Sequence, residues 1–216
     1  MLKVSNLYKS FGNQKVLDNI SFELEKGEVM CLRGKSGAGK TTLIRCICNL
    51  EKADEGTISV NGIESLEGGK PNKKYQNTIG MVSQGFDLFP NLTVMDNITL
   101  APVSRKLMTK QQAEENALNL LDSLGIKDKA GSYPCNLSGG EKQRVAVARA
   151  CVLSPSVLFF DEPTSALDIN STREVANLIE DIAARGISVV IITHDESFCS
   201  MLNAREILIE NGRITK

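Results

Sequence analysis

No window of this sequence reaches the roughly 18 uncharged apolar residues that a membrane-spanning helix needs, and the opening MLKVSNLYKS is mixed and charged rather than an apolar leader with a cleavage site. The expectation is a cytosolic chain that does not itself cross a membrane. An excess of either sign of charge is also missing. The 25 Lys and Arg against 26 Asp and Glu leave a net charge of -1, so no basic face or stripe points to a nucleic-acid partner. The six cysteines, Cys31, Cys46, Cys48, Cys135, Cys151 and Cys199, form no CxxC or CxxH spacing. They read as buried, reduced thiols, with structural zinc the weaker alternative. The one histidine, His194, is far in sequence from any cysteine pair. Repeats and low-complexity segments are absent. What remains is 216 residues, 42% hydrophobic, enough for one sizeable core.

The first 30 residues read as strands. LKVSNLYKSF and VLDNISFEL alternate apolar and polar positions as a half-buried antiparallel sheet would. EVMCLRG is a short apolar strand that runs directly into GKSGAGKTTLIRCICNL, a glycine loop followed by a helix. Asn61-Gly62 and Asn211-Gly212 sit between strand-like runs as type I' hairpin turns. From Thr93 to Gly125 the pattern turns helical: Thr109 caps KQQAEENALNLLDSL, Leu118, Leu121 and Leu124 share a stripe, and Gly125 stops the helix. Alternation of helix and strand then resumes, with VLFF and SVVII as continuous apolar runs suited to parallel strands covered on both faces. The expected architecture is an α/β core with a mostly parallel sheet, an N-terminal antiparallel β subdomain, and a helical subdomain at about 93–135 inserted into one domain spanning 1–216.

Gly34 to Thr41, GKSGAGKT, fits GxxxxGK[ST] at every fixed position, between a strand and a helix as that motif requires. Its glycines let successive backbone N–H groups and the helix dipole face phosphate oxygens. Lys40 would reach the β and γ phosphates and the Thr41 hydroxyl would bind Mg²⁺. Phosphoryl transfer also needs a carboxylate on the metal at a strand end. VLFFDE supplies Asp161, with Glu162 next to it and free to polarise an attacking water. A plain acidic pair capping a turn is the alternative. His194 follows ISVVIIT and should emerge at the same carboxyl edge of the sheet, touching the γ phosphate or Glu162.

In their order along the chain these motifs resemble the nucleotide-binding subunits of ATP-binding cassette (ABC) transporters, members of the P-loop NTPase class. The resemblance covers essentially all 216 residues. It implies that GKSGAGKT is the Walker A loop, with Gly34, Lys35, Ser36, Gly37, Ala38, Gly39, Lys40, Thr41 and Thr42 around the phosphates. It makes Gln84 the Q-loop residue, near nucleotide and metal, LFFDE the Walker B strand, Asp168 the end of the D-loop and His194 the switch histidine. Phe11 matches the aromatic that stacks on adenine, usually tyrosine, and Val16 is counted among the nucleotide-binding residues as well. LSGGE, residues 137–141, matches the signature: two subunits face head to tail, so Ser138, Gly139, Gly140 and Glu141 would close over the nucleotide of a partner copy. Locally, Ser138 as an ordinary N-cap explains the same turn equally well.

The resemblance further implies ATP and Mg²⁺ as cofactors, a homodimer on ATP binding, separate transmembrane permease subunits, a solute-binding protein in the full system, and a peripheral place on the inner face of the cell membrane. The words TTLIRCICNLE and SQGFDLFPNLTVMDNITLAP resemble polar amino-acid importers. Gly85 departs from them, standing where glutamine is usual. The apolar residues Phe86, Leu88, Phe89 and Pro90 are candidates to receive a short permease helix. Lipoprotein-releasing, efflux and cell-division ATPases are the alternative within the family. A DNA-repair type would carry a long coiled coil between loop and signature, and residues 42–136 show no sustained heptads. A P-loop small-molecule kinase would need neither Glu162 nor a signature.

Overall fold

The computed structural model describes residues 1–165 and 167–215; Ala166, within the SALD run, and Lys216, the last residue, lie outside them. The chain forms two compact units, one of residues 1–79 with 156–216 and one of residues 80–155. Among the described residues no helix is long and apolar enough to cross a membrane.

In the first unit β1 (Leu2–Phe11) and β2 (Gln14–Leu24) pair antiparallel, and β1 also pairs with β4 (Glu55–Val60), which turns through Asn61-Gly62 into β5 (Ile63–Glu64). Both turn residues have positive φ, 51° and 78°, as a type I' hairpin demands. Small strands β6 (Leu66–Glu67) and β7 (Lys70–Pro71) and the short helix α2 (Lys73–Gln76) follow. Tyr75 of α2 is fully buried, its hydroxyl donating to the Ile47 carbonyl.

The second sheet of this unit places β3 (Val29–Arg33) and β9 (Val157–Asp161) on either side of β10 (Ser188–Ile192), all parallel. Beyond β3 lie β11 (Arg205–Glu210) and its antiparallel partner β12 (Arg213–Ile214). Every residue of β10, and Val157 to Phe160 of β9, is buried, which is why neither strand shows alternation. The helices of this unit are α1 (Lys40–Ile47), α6 (Ile169–Ala184) and α7 (Glu196–Met201). Cys31, Cys46, Cys151 and Cys199 are buried and Cys48 is half-buried; Cys135 is exposed, contrary to the expectation of a buried thiol, because it lies in a one-turn segment. No group of three or more metal-ligating side chains occurs among the described residues.

The second unit begins within β8 (Ile79–Val82) and contains α3 (Val94–Ser104), α4 (Lys110–Ser123) and α5 (Gly139–Cys151). It is wider than residues 93–135 because α5 contributes Val145 and Ala148 to the same core as Val94, Ile98, Ala117 and Leu121. Thr109 caps α4 in a full capping box with Gln112, and Gly125 takes φ 69°. The buried stripe of α4 is Ala113, Ala117 and Leu121, at i, i+4 spacing, flanked by Leu120 and Leu124. Leu118 is only half-buried: the small alanines let α4 approach its neighbours, and that displaces the stripe from the leucines alone.

Candidate functional site

Parallel pairing brings three strand ends to one edge. Leu32 of β3 and Asp161 of β9 both lie level with Ile192 of β10, so the loop at Gly34, the carboxylates 161 and 162, and His194 all emerge together. The Glu162 N–H donates to the Ile192 carbonyl at 2.9 Å, fastening the acidic turn to the strand that leads to the histidine.

The glycine loop is shaped by close approach. Gly34 has φ 151°, and a Cβ there would lie 2.3 Å from the Ile209 carbonyl oxygen; Gly39 has φ 102°, and a Cβ would meet the Val16 carbonyl at 2.7 Å. Neither position tolerates a side chain without moving backbone. The half-buried Val16 is thus a wall of the loop through its carbonyl. Gly212 ties the β11–β12 hairpin to the loop, its N–H donating to the Ala38 carbonyl at 3.2 Å. A cavity of about 300 Å³ opens between Lys35, Ser36, Gly37 and Ala38 on one side and Ile209, Glu210 and Asn211 on the other.

Gly39 caps α1 in the left-handed region without a side-chain hydrogen bond, so the first N–H groups of the helix have no capping side chain. Lys40 opens the helix with its ammonium folded back onto the loop, donating to the carbonyls of Gly34 at 2.5 Å and Lys35 at 3.1 Å. Thr41 is exposed and Thr42 half-buried.

Asp161 ends β9 half-buried. Burial, then the neighbouring charge of Glu162, push its carboxyl above the usual range, while Lys40 and Arg45 pull it down. Glu162 is not extended but left-handed, φ 48°, an uncommon and costly conformation for a residue with a side chain. Nδ1 of His194 lies 2.9 Å from Oε1 of Glu162. The hydrogen bond and the charge of Glu162 raise the His194 pKa above its ordinary value.

Asp168 caps α6, its carboxylate accepting from the N–H groups of Asn170 and Ser171 at 2.9 Å, and those bonds hold its pKa low. The helix therefore starts at Ile169. Phe11, at the end of β1, is 49% exposed.

The other unit carries Gln84 and the LSGGE turn. Gln84 is exposed two residues past β8. Ser138 caps α5 in a full capping box: its hydroxyl accepts from the Glu141 N–H, and Glu141 Oε2 accepts from the Ser138 N–H at 2.8 Å. Lys129 lies 3.3 Å from the other oxygen of Glu141. Gly139 and Gly140 are exposed, have no positive φ, and would meet nothing within 4 Å if given a Cβ.

Sequence reasoning missed Arg149, whose guanidinium donates to the carbonyls of Phe86 at 2.7 Å and Asp87 at 2.6 Å and so braces two adjacent left-handed residues. It also missed Asn97, buried in α3, whose amide donates to the carbonyls of Phe89, Leu92 and Thr93 and accepts from the Phe89 N–H. A polar residue on the inner face of an apolar helix was the available signal. Of the apolar residues in this loop, Phe86 and Leu88 are half-buried, while Phe89 and Pro90 are exposed. Gly85 is not required by the backbone: a Cβ would meet only Asp87 Oδ1, at 3.6 Å.

Residues 17–165 match the ABC transporter family. The chain belongs to that family. Among relatives of this ABC subunit, the arginine transport ATP-binding protein ArtM of Bacillus subtilis (strain 168) is 43% identical over 216 residues, covering 100% of this chain and 90% of its own. The glutamine transport ATP-binding protein GlnQ of Escherichia coli (strain K12) is 40% identical over 216 residues, at 100% and 90% coverage. Among solved structures, the dimeric post-hydrolysis state of the ATP-binding cassette MJ0796 bound to ADP and Pi superposes with a TM-score of 0.83, at 30% identity, covering 100% of this chain and 97% of that one. The ABC subunit is an ATPase: it binds and hydrolyses ATP to energise a membrane permease.

Proposed function

We propose that the subunit powers an amino-acid importer and that two copies close head to tail on ATP, each completing the other's site. The observation that carries the solute class is the set of full-length relatives, whose names specify arginine, glutamate and glutamine transport. In this reading the protein sits peripherally on the inner face of the membrane, bound to its permease through Phe89 and Pro90 of the loop braced by Arg149, and a solute-binding protein delivers the amino acid.

The loop N–H groups and the N-terminus of α1 hold the β and γ phosphates, and Lys40 leaves the carbonyls of Gly34 and Lys35 to neutralise them. Lys35 to Ala38 and Thr42 complete the cradle, Val16 walls it, and Phe11 stacks on the base. A divalent cation fits the donor set: Thr41 offers a hydroxyl, and Asp161 a half-buried carboxylate beside the charge of Glu162. The family resemblance assigns Gln84, carried by the other unit, to the same metal as a further oxygen donor. Bound there, Mg²⁺ supplies charge neutralisation of the phosphates. Glu162 accepts the proton of the water, and His194, held at 2.9 Å, orients Glu162 and donates toward the γ phosphate. Ser138, Gly139 and Gly140 cover the γ phosphate of the partner's nucleotide, Glu141 stiffens that turn, and Asp168 caps α6.

Uptake of labelled amino acids in cells lacking this chain tests the assignment. Loss of arginine, glutamate or glutamine uptake, restored by the wild type but not by Lys40→Ala, is the expected result. Unchanged uptake of every amino acid overturns the importer reading.

A further inference from the structure

Along β1 the inward positions are Leu2, Val4 and Leu7, and the next one is Lys9. A lysine in an apolar series is buried with only 8% of its surface exposed, a costly place for an ammonium unless it is fully paired. It is. Its three N–H donors meet three oxygens in the segment after α1: the Lys52 carbonyl at 2.7 Å, Glu51 Oε1 at 2.8 Å and Asp54 Oδ1 at 3.4 Å. Hydrogen bonding to Glu51 leads the causes that raise its pKa, so it stays charged. Asp54 also accepts from the Ser10 N–H at 2.6 Å, which locks the backbone on which Lys9 and Phe11 stand.

Held this way, the ammonium sits 4.9 Å from the centroid of the Phe11 ring, within cation–π range. A ring at the end of a strand, 49% exposed and lacking any hydroxyl to anchor it, would otherwise turn freely. With a fixed cation against it, its plane is set before any ligand arrives, and orientational freedom need not be lost on binding. We propose that Lys9 is a positioning residue for base recognition, holding Phe11 with its exposed surface toward the purine. This rests on the reading of Phe11 as the stacking residue.

The test separates base from phosphate by comparing ATP with inorganic tripolyphosphate, both with Mg²⁺, in equilibrium binding. Lys9→Met should weaken ATP about fivefold, in the range of a desolvated cation–π contact, with tripolyphosphate changed less than twofold and turnover at saturating ATP preserved. In a Phe11→Ala background the same substitution should have no further effect on ATP. Equal losses for both ligands would make Lys9 a purely structural anchor, and an unchanged ATP affinity or losses that multiply with Phe11→Ala would equally overturn the proposal. Phe11→Ala alone decides the reading beneath it: if the ratio of ATP to tripolyphosphate affinity does not fall, Phe11 does not stack. If Lys9→Met does not fold, Glu51→Gln, which loosens the ammonium in place, must show the same base-dependent loss at about twofold, and its absence overturns the proposal.

Discussion

The two glycine-bearing helix starts, at Gly34 to Thr41 and at Leu137 to Glu141, look alike in sequence and differ in what compels them. In the first, Gly34 and Gly39 have positive φ, and any Cβ would press on the carbonyls of Ile209 and Val16. This chain's own backbone requires those glycines. In the second, Gly139 and Gly140 adopt ordinary conformations with open space around them, and Ser138 and Glu141 already cap the helix. Nothing among the described residues asks for glycine there, and glycine in a helix even costs stability. The first loop's glycines are demanded by its own fold, whereas the second pair leaves an open, exposed surface, which the proposed head-to-tail pairing would use.

The largest expected effect comes from mixing two inactive proteins. Lys40→Ala spoils the loop and Ser138→Arg the signature, so each homodimer lacks a complete site, and ATP turnover should be lost in both. Mixed at high concentration, where dimers form, they regain one complete site, read as ATP-dependent heterodimers and partial hydrolysis. Mixtures that stay inactive and monomeric while wild type dimerises and turns over would mean each chain closes over its own nucleotide.

On the loop side, Glu162→Gln should keep nucleotide affinity and slow single-turnover hydrolysis by about 10² or more, the scale of a lost general base. Wild-type rates would remove Glu162 from the chemistry.

Stability measurements then sharpen the contrast between the glycines. Gly39→Ala should cost about 3 kcal/mol through backbone overlap and positive φ, lowering Tm by about 6–12 °C. Gly140→Ala should leave Tm unchanged or raise it by up to about 4 °C, since alanine favours helix by up to about 1 kcal/mol, while ATP turnover falls. A Gly140→Ala protein as active as wild type would show that its glycine serves no partner.

The smallest effect concerns pH. Glu162 raises the pKa of His194, so the pair's contribution to stability is fully present below the ordinary histidine value of 6.5 and fades as pH rises through the raised folded value. By NMR the His194 ring should titrate above 6.5, and Glu162→Gln should bring the midpoint back down. A midpoint that ignores the substitution would contradict the 2.9 Å contact.

Much of this was readable in one dimension because local rules acted alone. Asn61-Gly62 needs only its own φ angles to make a hairpin, Thr109 and Ser138 cap helices with neighbours three residues on, and VLFF can be continuous only if both faces are covered. What could not be read depends on distant partners. The bracing of Phe86 and Asp87 waits on Arg149. The stripe of α4 moved to Ala113 and Ala117 because packing distance, not apolarity, set the face. Glu162 turns left-handed while its N–H is fastened to a strand that comes later in the chain.

By itself, the sequence determined the inventory and order of the chemistry: a glycine loop with Lys40 and Thr41, the acidic pair 161 and 162, a lone His194, and the strands and caps that short-range sterics and hydrogen bonding dictate. Only the tertiary structure decided that Asp161 stands level with Ile192 on a parallel neighbour, that His194 thereby reaches Glu162, and that Lys9 lies against Phe11. Strand pairing joins residues far apart in the chain through backbone hydrogen bonds common to all residue types, so no local pattern records which ends will meet.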